Sequence, residues 1–185
     1  MYATKQEIHQ LKLSILPGKF LQFFKKEKAK IVQLQPGDKA PLFKGIDQYG
    51  KEIDLKNLRG RKLLVYFYPE DDTPSCTEQA CNLRDNYSQL NENDIEIIGI
   101  SPDDVESHKK FDTKFNLNFS IVADPDKKIL KKYGVWGEKQ MFGNKFMGVH
   151  RRSFLIDQKG IIRKIFLRPK VGQHAEEVIK VAQSF

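Results

Sequence analysis

Residues 62–83 read KLLVYFYPEDDTPSCTEQACNL, and this stretch decides the fold class. The run from Lys62 to Tyr68 is rich in β-branched and aromatic residues, which predicts a buried strand. Thr73 is a favourable N-cap residue and proline suits the first helical position, so a helix is predicted over Pro74–Leu90. A buried strand that leads directly into a helix indicates an α/β domain.

Both cysteines of the chain, Cys76 and Cys81, fall within this helix. Cys76 would lie in the first turn, where unpaired backbone N–H groups and the helix dipole stabilise a thiolate, the reactive form of the side chain. Four acidic neighbours oppose this effect, so a nearby cation is expected: Glu70, Asp71, Asp72 and Glu78.

The spacing of the two cysteines restricts how they can pair. In an intact helix, residues i and i+5 have Cα atoms roughly 8.5 Å apart. A disulfide requires Cα atoms closer than about 7 Å. The two sulfur atoms therefore either never bond, or bond only when the first turns of the helix unwind.

The composition limits what the thiols are for. A chain of 185 residues with 39% hydrophobic and 30% charged residues is typical of a globular domain that needs no disulfide to stay folded. In a reducing cytosol, a close pair of cysteines is more often catalytic, redox-sensing or metal-binding. No apolar run is long enough to span a membrane, and the N-terminus lacks the features of a secretory signal, so we expect a cytoplasmic protein.

The net charge of +8 is unevenly distributed along the chain. Residues 1–35 contain seven Lys and two Glu, so more than half of the positive excess lies there. The remainder shows no single-sign stripe with interleaved aromatic residues, and nucleic-acid binding is not expected.

Residues 1–34 form a segment distinct from the domain predicted for residues 35–185. Apolar residues recur at helical spacing on either side of Pro17-Gly18, which predicts a pair of short helices. Such a pair would pack on the domain or on a second subunit. The alternative is a basic aromatic helix that lies on an anionic membrane surface.

Further elements follow the first strand and helix in a regular order. They are a hairpin around residues 47–50, strands at Ile95–Ile100 and Ser120–Ala123, helices at Val105–Phe115 and Asp126–Tyr133, two strands within residues 153–166, and a last helix at Ala175–Phe185. This order predicts a central mixed sheet covered by helices on both faces. It is the element order of a thioredoxin-like domain.

The chain resembles the peroxiredoxins in the segment PEDDTPSC, which matches Pro-x-x-x-Thr-x-x-Cys. The longer segment YFYPEDDTPSCTEQACNLRD is similar to the bacterioferritin comigratory protein subfamily, also called the Q type. The similarity continues through PGDKAPLF, GVWGEK and GVHRRSFLID to the C-terminal helix. This resemblance implies a thioredoxin-like peroxiredoxin fold and a thiol peroxidase.

The resemblance also implies a reaction scheme. Cys76 would attack hydrogen peroxide or an organic hydroperoxide and become a sulfenic acid. Cys81 would condense with it to an intramolecular disulfide after local unwinding, and thioredoxin or a similar dithiol would reduce that bond. No cofactor takes part.

Side-chain roles follow from the same resemblance. Thr73 would hold the peroxide and Pro69 would shield the thiolate from water. Gln79 matches a polar, substrate-side position of the family; the alternative is a solvated side chain on the helix face. Strand alternation predicts that only one of Arg151 and Arg152 points inward. The family pattern selects Arg151 as the cation beside the sulfur.

Several other interpretations stay open. A zinc site from Cys76, Cys81, His150 and His174 is conceivable, although C-x4-C is a loose spacing for structural zinc and no metal is expected. A redox-switched binding protein would also use the thiols, but it would stop after one oxidation. Trp136 is interpreted as a packing anchor in a loop. Arg84 either supports the site or is an ordinary helix charge, and the second interpretation is favoured.

Overall fold

The computed structural model describes residues 33–141 and 143–185. Residues 1–32 lie outside this range. The helical pair predicted within residues 1–34 therefore stays a prediction. Within the described residues, no helix is both long and apolar enough to cross a membrane.

The described residues contain nine strands and five α-helices. The strands are Lys44–Asp47 (β1), Glu52–Asp54 (β2), Lys62–Phe67 (β3), Ile95–Ser101 (β4), Ser120–Ala123 (β5), Trp136–Met141 (β6), Asn144–Val149 (β7), Arg152–Ile156 (β8) and Ile162–Phe166 (β9). The helices are Pro74–Asp85 (α1), Tyr87–Glu92 (α2), Val105–Phe115 (α3), Lys128–Lys132 (α4) and His174–Ala182 (α5). Two 3-10 turns span Leu55–Leu58 and Val171–Gln173.

Seven strands form one mixed sheet in the order β2-β1-β5-β4-β3-β8-β9. Strands β3, β4 and β5 run parallel to one another, and the remaining pairs are antiparallel. Alternate residues of β3 enter two different apolar clusters: Leu64 and Tyr66 pack under α1, and Val65 and Phe67 pack on the opposite face. Both faces are therefore buried, which explains the uninterrupted apolar run and confirms the predicted thioredoxin-like architecture.

The sheet register places the cysteine helix and the arginine pair at the same end of the central strands. Strand β3 ends at Phe67, and the chain crosses a short loop into α1. Strand β8 runs antiparallel to β3, with Arg152 opposite Phe67. Arg151 therefore lies just beyond the end of β3, where the first turn of α1 begins.

Two predictions of local structure are wrong. The helix predicted over Pro74–Leu90 breaks at Asn86, whose φ of −100° and ψ of 13° interrupt it and whose side-chain amide binds the Asn82 carbonyl at 2.9 Å. A polar side chain that bonds the nearby backbone in this way competes with the helix. Trp136 begins a strand rather than standing in a loop, because β6 pairs with β7 as a separate hairpin. Its predicted packing role agrees with the structure, since it is partly buried against the core.

Candidate active site

Cys76 lies in the first turn of α1, with only 1% of its surface exposed. Its backbone N–H is not unpaired, since it donates to the Thr73 carbonyl at 3.1 Å and so closes the first turn. The expected cation is present: Arg151 Nη2 lies 3.1 Å from the Cys76 sulfur. The guanidinium is thus a charged hydrogen-bond donor in direct contact with the sulfur.

Gln79 holds the other arm of the same guanidinium. Arg151 Nη1 donates to Gln79 Oε1 at 2.5 Å, and the Gln79 side chain is completely buried. Gln79 follows Cys76 by three positions, so both side chains project from the same side of α1. Gln79 Nε2 has no hydrogen-bond partner among the described residues, which leaves a free donor in the site.

Thr73 occupies the N-cap position, as predicted, but its side chain does not cap the helix. Its hydroxyl donates instead to the Glu70 carbonyl at 3.1 Å. The hydroxyl proton is thereby committed to the loop, and the oxygen lone pairs stay available to accept a hydrogen bond. Pro69 is partly buried at the start of the same loop, directly after the buried Tyr68.

A buried polar network fixes the loop that precedes Cys76. The Asp71 side chain is 5% exposed, and its carboxylate accepts hydrogen bonds from Tyr68 Oη at 2.8 Å and Ser107 Oγ at 2.7 Å. His108 Nδ1 lies 2.8 Å from the same carboxylate, and the Asp71 backbone N–H donates to Asp103 at 2.9 Å. Burial raises the pKa of Tyr68 well above its ordinary value, so its hydroxyl stays a donor.

This network was not predicted from the sequence. From the sequence alone, Asp71 is only a negative charge that opposes a Cys76 thiolate, whereas in the structure its carboxylate is bound by side chains of α3. The partners are more than thirty residues away in the sequence, and no local pattern connects them.

Cys81 is a free thiol and only partly buried, in contrast to Cys76. Both cysteines belong to the same wound helix, in agreement with the spacing argument that they cannot bond in this conformation. The structure does not gather the four residues of the conceivable zinc site. Among the described residues, the group with metal-ligand geometry is Asp71, Asp103 and His108, and it forms the network above.

Arg84 and Arg152, the other two arginines considered in the sequence analysis, do not contact the sulfur. Arg84 binds the Phe115 carbonyl and the Asp85 carboxylate, so it braces α1 against the end of α3. Arg152 faces a cleft of about 590 Å³ beside the site. The cleft is lined by Ser75, Lys139, His150, Arg151, Arg152, Leu167, Arg168, Pro169 and Val171. Ser75 directly precedes Cys76, and Arg151 contacts the Cys76 sulfur. The cleft therefore provides a route from solvent towards the sulfur.

Comparison with known proteins gives one consistent family. The model of the AhpC/TSA family matches residues 36–165. Peroxiredoxin Bcp of Escherichia coli is 42% identical over 146 residues, which cover 79% of this chain and 94% of the relative. A putative peroxiredoxin bcp of Coxiella burnetii is 40% identical over 148 residues, which cover 80% of this chain and 98% of the relative.

Among solved structures, the bacterioferritin comigratory protein of Xanthomonas campestris superposes with a TM-score of 0.74 at 27% identity. The match covers 84% of this chain and 98% of that protein. That structure was described in a study of the protein's alkyl peroxide reduction activity.

Proposed function

The chain belongs to the AhpC/TSA family as a peroxiredoxin of the bacterioferritin comigratory protein (Q) type, and on that premise we propose that Cys76 is the residue that attacks the peroxide. The chain is a thiol peroxidase, an oxidoreductase whose family acts on peroxides and draws electrons from thioredoxin-type reductants. The observation that carries the assignment is the 3.1 Å contact between Arg151 Nη2 and the Cys76 sulfur in the first turn of α1.

In the first step, the Cys76 thiolate attacks the terminal oxygen of the hydroperoxide. The S–O bond forms as the O–O bond breaks, and the departing oxygen takes up a proton to leave as water or an alcohol. Arg151 stabilises the negative charge as it moves from sulfur to the departing oxygen. Thr73 accepts a hydrogen bond from the hydroperoxide O–H, since its own proton is bound to the Glu70 carbonyl.

Two further side chains complete the proposed site. Gln79 orients Arg151 through the 2.5 Å contact, and its unpartnered Nε2 is placed to donate to a substrate oxygen or to the sulfenic acid. Pro69 keeps water from the sulfur at the start of the loop. Hydrogen peroxide and organic hydroperoxides are the proposed substrates, and the cleft beside Ser75 and Arg151 is their route of entry.

In the second step, the Cys81 thiol attacks the Cys76 sulfenic sulfur and releases water, which leaves a Cys76–Cys81 disulfide. This bond requires the first turns of α1 to unwind, because the Cα atoms of a wound helix stand too far apart. Thioredoxin or a similar dithiol then reduces the disulfide, and a cytoplasmic location, where such dithiols are kept reduced, stays the prediction.

Turnover distinguishes the enzyme from a redox-switched binding protein. Reduced protein is mixed with hydrogen peroxide and with cumene hydroperoxide in the presence of thioredoxin, thioredoxin reductase and NADPH. The peroxidase consumes many equivalents of peroxide per chain. A redox switch would consume one equivalent of peroxide per chain and then stop, although the thioredoxin system still reduces a second disulfide substrate. That result would support the switch instead.

A further inference from the structure

Asn82, the residue directly after Cys81, uses its side-chain amide on a different part of the molecule. Its Oδ1 accepts the Ala175 backbone N–H at 2.8 Å. Its Nδ2 donates to the Gly172 carbonyl at 3.1 Å and lies 3.3 Å from a Glu176 oxygen. Asn82 therefore connects α1 to the start of α5 and to the 3-10 turn before it.

The start of α5 depends on this contact. The first N–H groups of any helix lack partners inside the helix. The N-cap residue of α5, Gln173, provides no side-chain hydrogen bond to them. Asn82 therefore supplies from α1 the cap that α5 does not supply for itself.

The partner of Asn82 is firmly fixed in the fold. Ala175 and Val178 are completely buried, and His174 Nε2 lies 2.8 Å from Ser153 Oγ on β8. The turn before α5 lies directly against α1, because a Cβ atom built on Gly172 would come within 2.7 Å of Glu78 Oε1. Because α5 is fixed to the sheet, the Asn82 side chain that binds α5 is also fixed to the sheet.

We propose that Asn82 is the pivot at which the unwinding of α1 stops when the Cys76–Cys81 disulfide forms. The inference rests on the proposed function, since it needs that disulfide. Residues 74–81 leave the helix, while Asn82 keeps the rest of α1 docked on α5. Cys81, adjacent to the pivot, then stays close to one place, and Cys76 needs to search only a short path to meet it. Asn82 is thus a positioning residue for the second step and does not touch the substrate.

The test compares wild type with Asn82→Ala and with the control Asn118→Ala. Asn118 is a suitable control because its Nδ2 also binds α1, at the Arg84 carbonyl, but it forms no hydrogen bond to α5 in the described part of the chain. Reduced proteins are mixed with one equivalent of hydrogen peroxide, and the loss of thiol and the formation of disulfide are followed separately by rapid quenching and mass spectrometry. Amide exchange is then measured on the oxidised forms.

For Asn82→Ala we expect an unchanged first oxidation and disulfide formation slower by about fivefold, the effect of losing one helix cap. More Cys76 sulfinic acid should accumulate under excess peroxide. Amide protection in the oxidised variant should be lost at Asn86, whose N–H donates to the Asn82 carbonyl, and over 174–178, whereas wild type and Asn118→Ala keep it there. Asn82→Asp retains the acceptor for Ala175 but places a charge beside Glu176, so it should fall between the two.

Disulfide formation in Asn82→Ala at the wild-type rate or faster would overturn the proposal, as would an exchange boundary that does not move. If Asn82→Ala fails to fold, Asn82→Asp carries the same comparison. Absence of a Cys76–Cys81 disulfide in the wild type would instead refute the proposed function, so the two failures can be told apart.

Discussion

The loop before Cys76 and the helix after it are held in place by different kinds of contact. The loop is fastened by the Asp71 carboxylate, which is almost fully buried and bound by three side chains. The helix is fastened to α5 by the Asn82 amide, whose bonds lie nearer the surface. Removing a partner from a buried group costs about 1–3 kcal/mol, whereas water can replace an exposed partner. In the proposed mechanism the loop that binds peroxide is thus built to stay fixed, and the first turns of α1, which lie between this loop and the Asn82 contact, are the part that opens.

This asymmetry meets the opposing demands of the two steps. In the proposed mechanism, attack on the peroxide needs the Cys76 sulfur, Arg151 and Thr73 in one fixed arrangement. Disulfide formation needs Cys76 to leave that arrangement. If the two sides were fastened alike, one of the steps would be slow.

Replacement of each cysteine is expected to have the largest effect on peroxide consumption. Cys76→Ser should abolish peroxide consumption, because the proposed nucleophile is gone. Cys81→Ser should permit one oxidation and then stop at the sulfenic acid, which dimedone labelling followed by mass spectrometry detects. If Cys81→Ser blocked the first oxidation as completely as Cys76→Ser, the assignment of the two roles would be wrong.

The adjacent arginines provide a matched pair for the next effect. Arg151→Ala should slow the first oxidation by about 100-fold or more, the usual cost of removing a donor that stabilises developing charge. Arg152→Ala should change it by less than about threefold, as expected for a charge that does not touch the sulfur. Stopped-flow tryptophan fluorescence measures both rates, and equal losses would contradict the choice of Arg151.

The loop network gives an intermediate effect. Asp71→Asn should lower the free energy of unfolding by about 2 kcal/mol, since the buried donors around the carboxylate lose their charged partner. The first oxidation should slow by about tenfold as Thr73 loses its fixed position. Asp72→Asn is the control, because Asp72 forms an exposed ion pair with Lys114 that contributes little. Equal behaviour of the two variants would mean that the network does not hold the loop.

The last effect is absent at neutral pH and appears only in acid, on the side of the molecule that Asn82 contacts. Burial lowers the pKa of His174 to about 4, below its ordinary value of 6.5, so the folded protein binds fewer protons than the unfolded chain between these pH values. The contribution of His174 to stability is therefore complete above pH 6.5 and is lost as the pH falls, by about 2 kcal/mol at pH 4.5. Denaturant unfolding of wild type and His174→Asn at pH 7 and pH 4.5 measures this difference. An identical pH dependence in both proteins would contradict a buried, neutral His174.

The sequence predicted the parts of this molecule that depend on local pattern. The apolar run of β3 and the Thr73-Pro74 start of α1 were both legible from neighbouring residues, and the structure contains them. Strand alternation alone could not choose between the two arginines, because it gives no absolute direction. The family motif made that choice, and the structure places Arg151 against the Cys76 sulfur.

The features that the sequence did not predict depend on long-range contacts. Asp71 meets His108, and Asn82 meets Ala175, each through bonds between residues far apart in the chain. Such pairs carry no periodicity, and their residue types are common on surfaces. The break at Asn86 is a different case, because the weak helix formers at 85–88 are a local signal for it that the prediction of one helix over 74–90 overrides. The side-chain bond from Asn86 to the Asn82 carbonyl marks the interruption.

Amide hydrogen exchange, measured on reduced protein before and after one equivalent of hydrogen peroxide, tests the central claim most directly. We predict a Cys76–Cys81 disulfide with protection lost over 77–81 and retained at Tyr68 and Asp71, whose N–H groups are hydrogen-bonded. Protection lost at Tyr68 and Asp71 while 77–81 stays protected, or oxidation that leaves both regions unchanged, would contradict it.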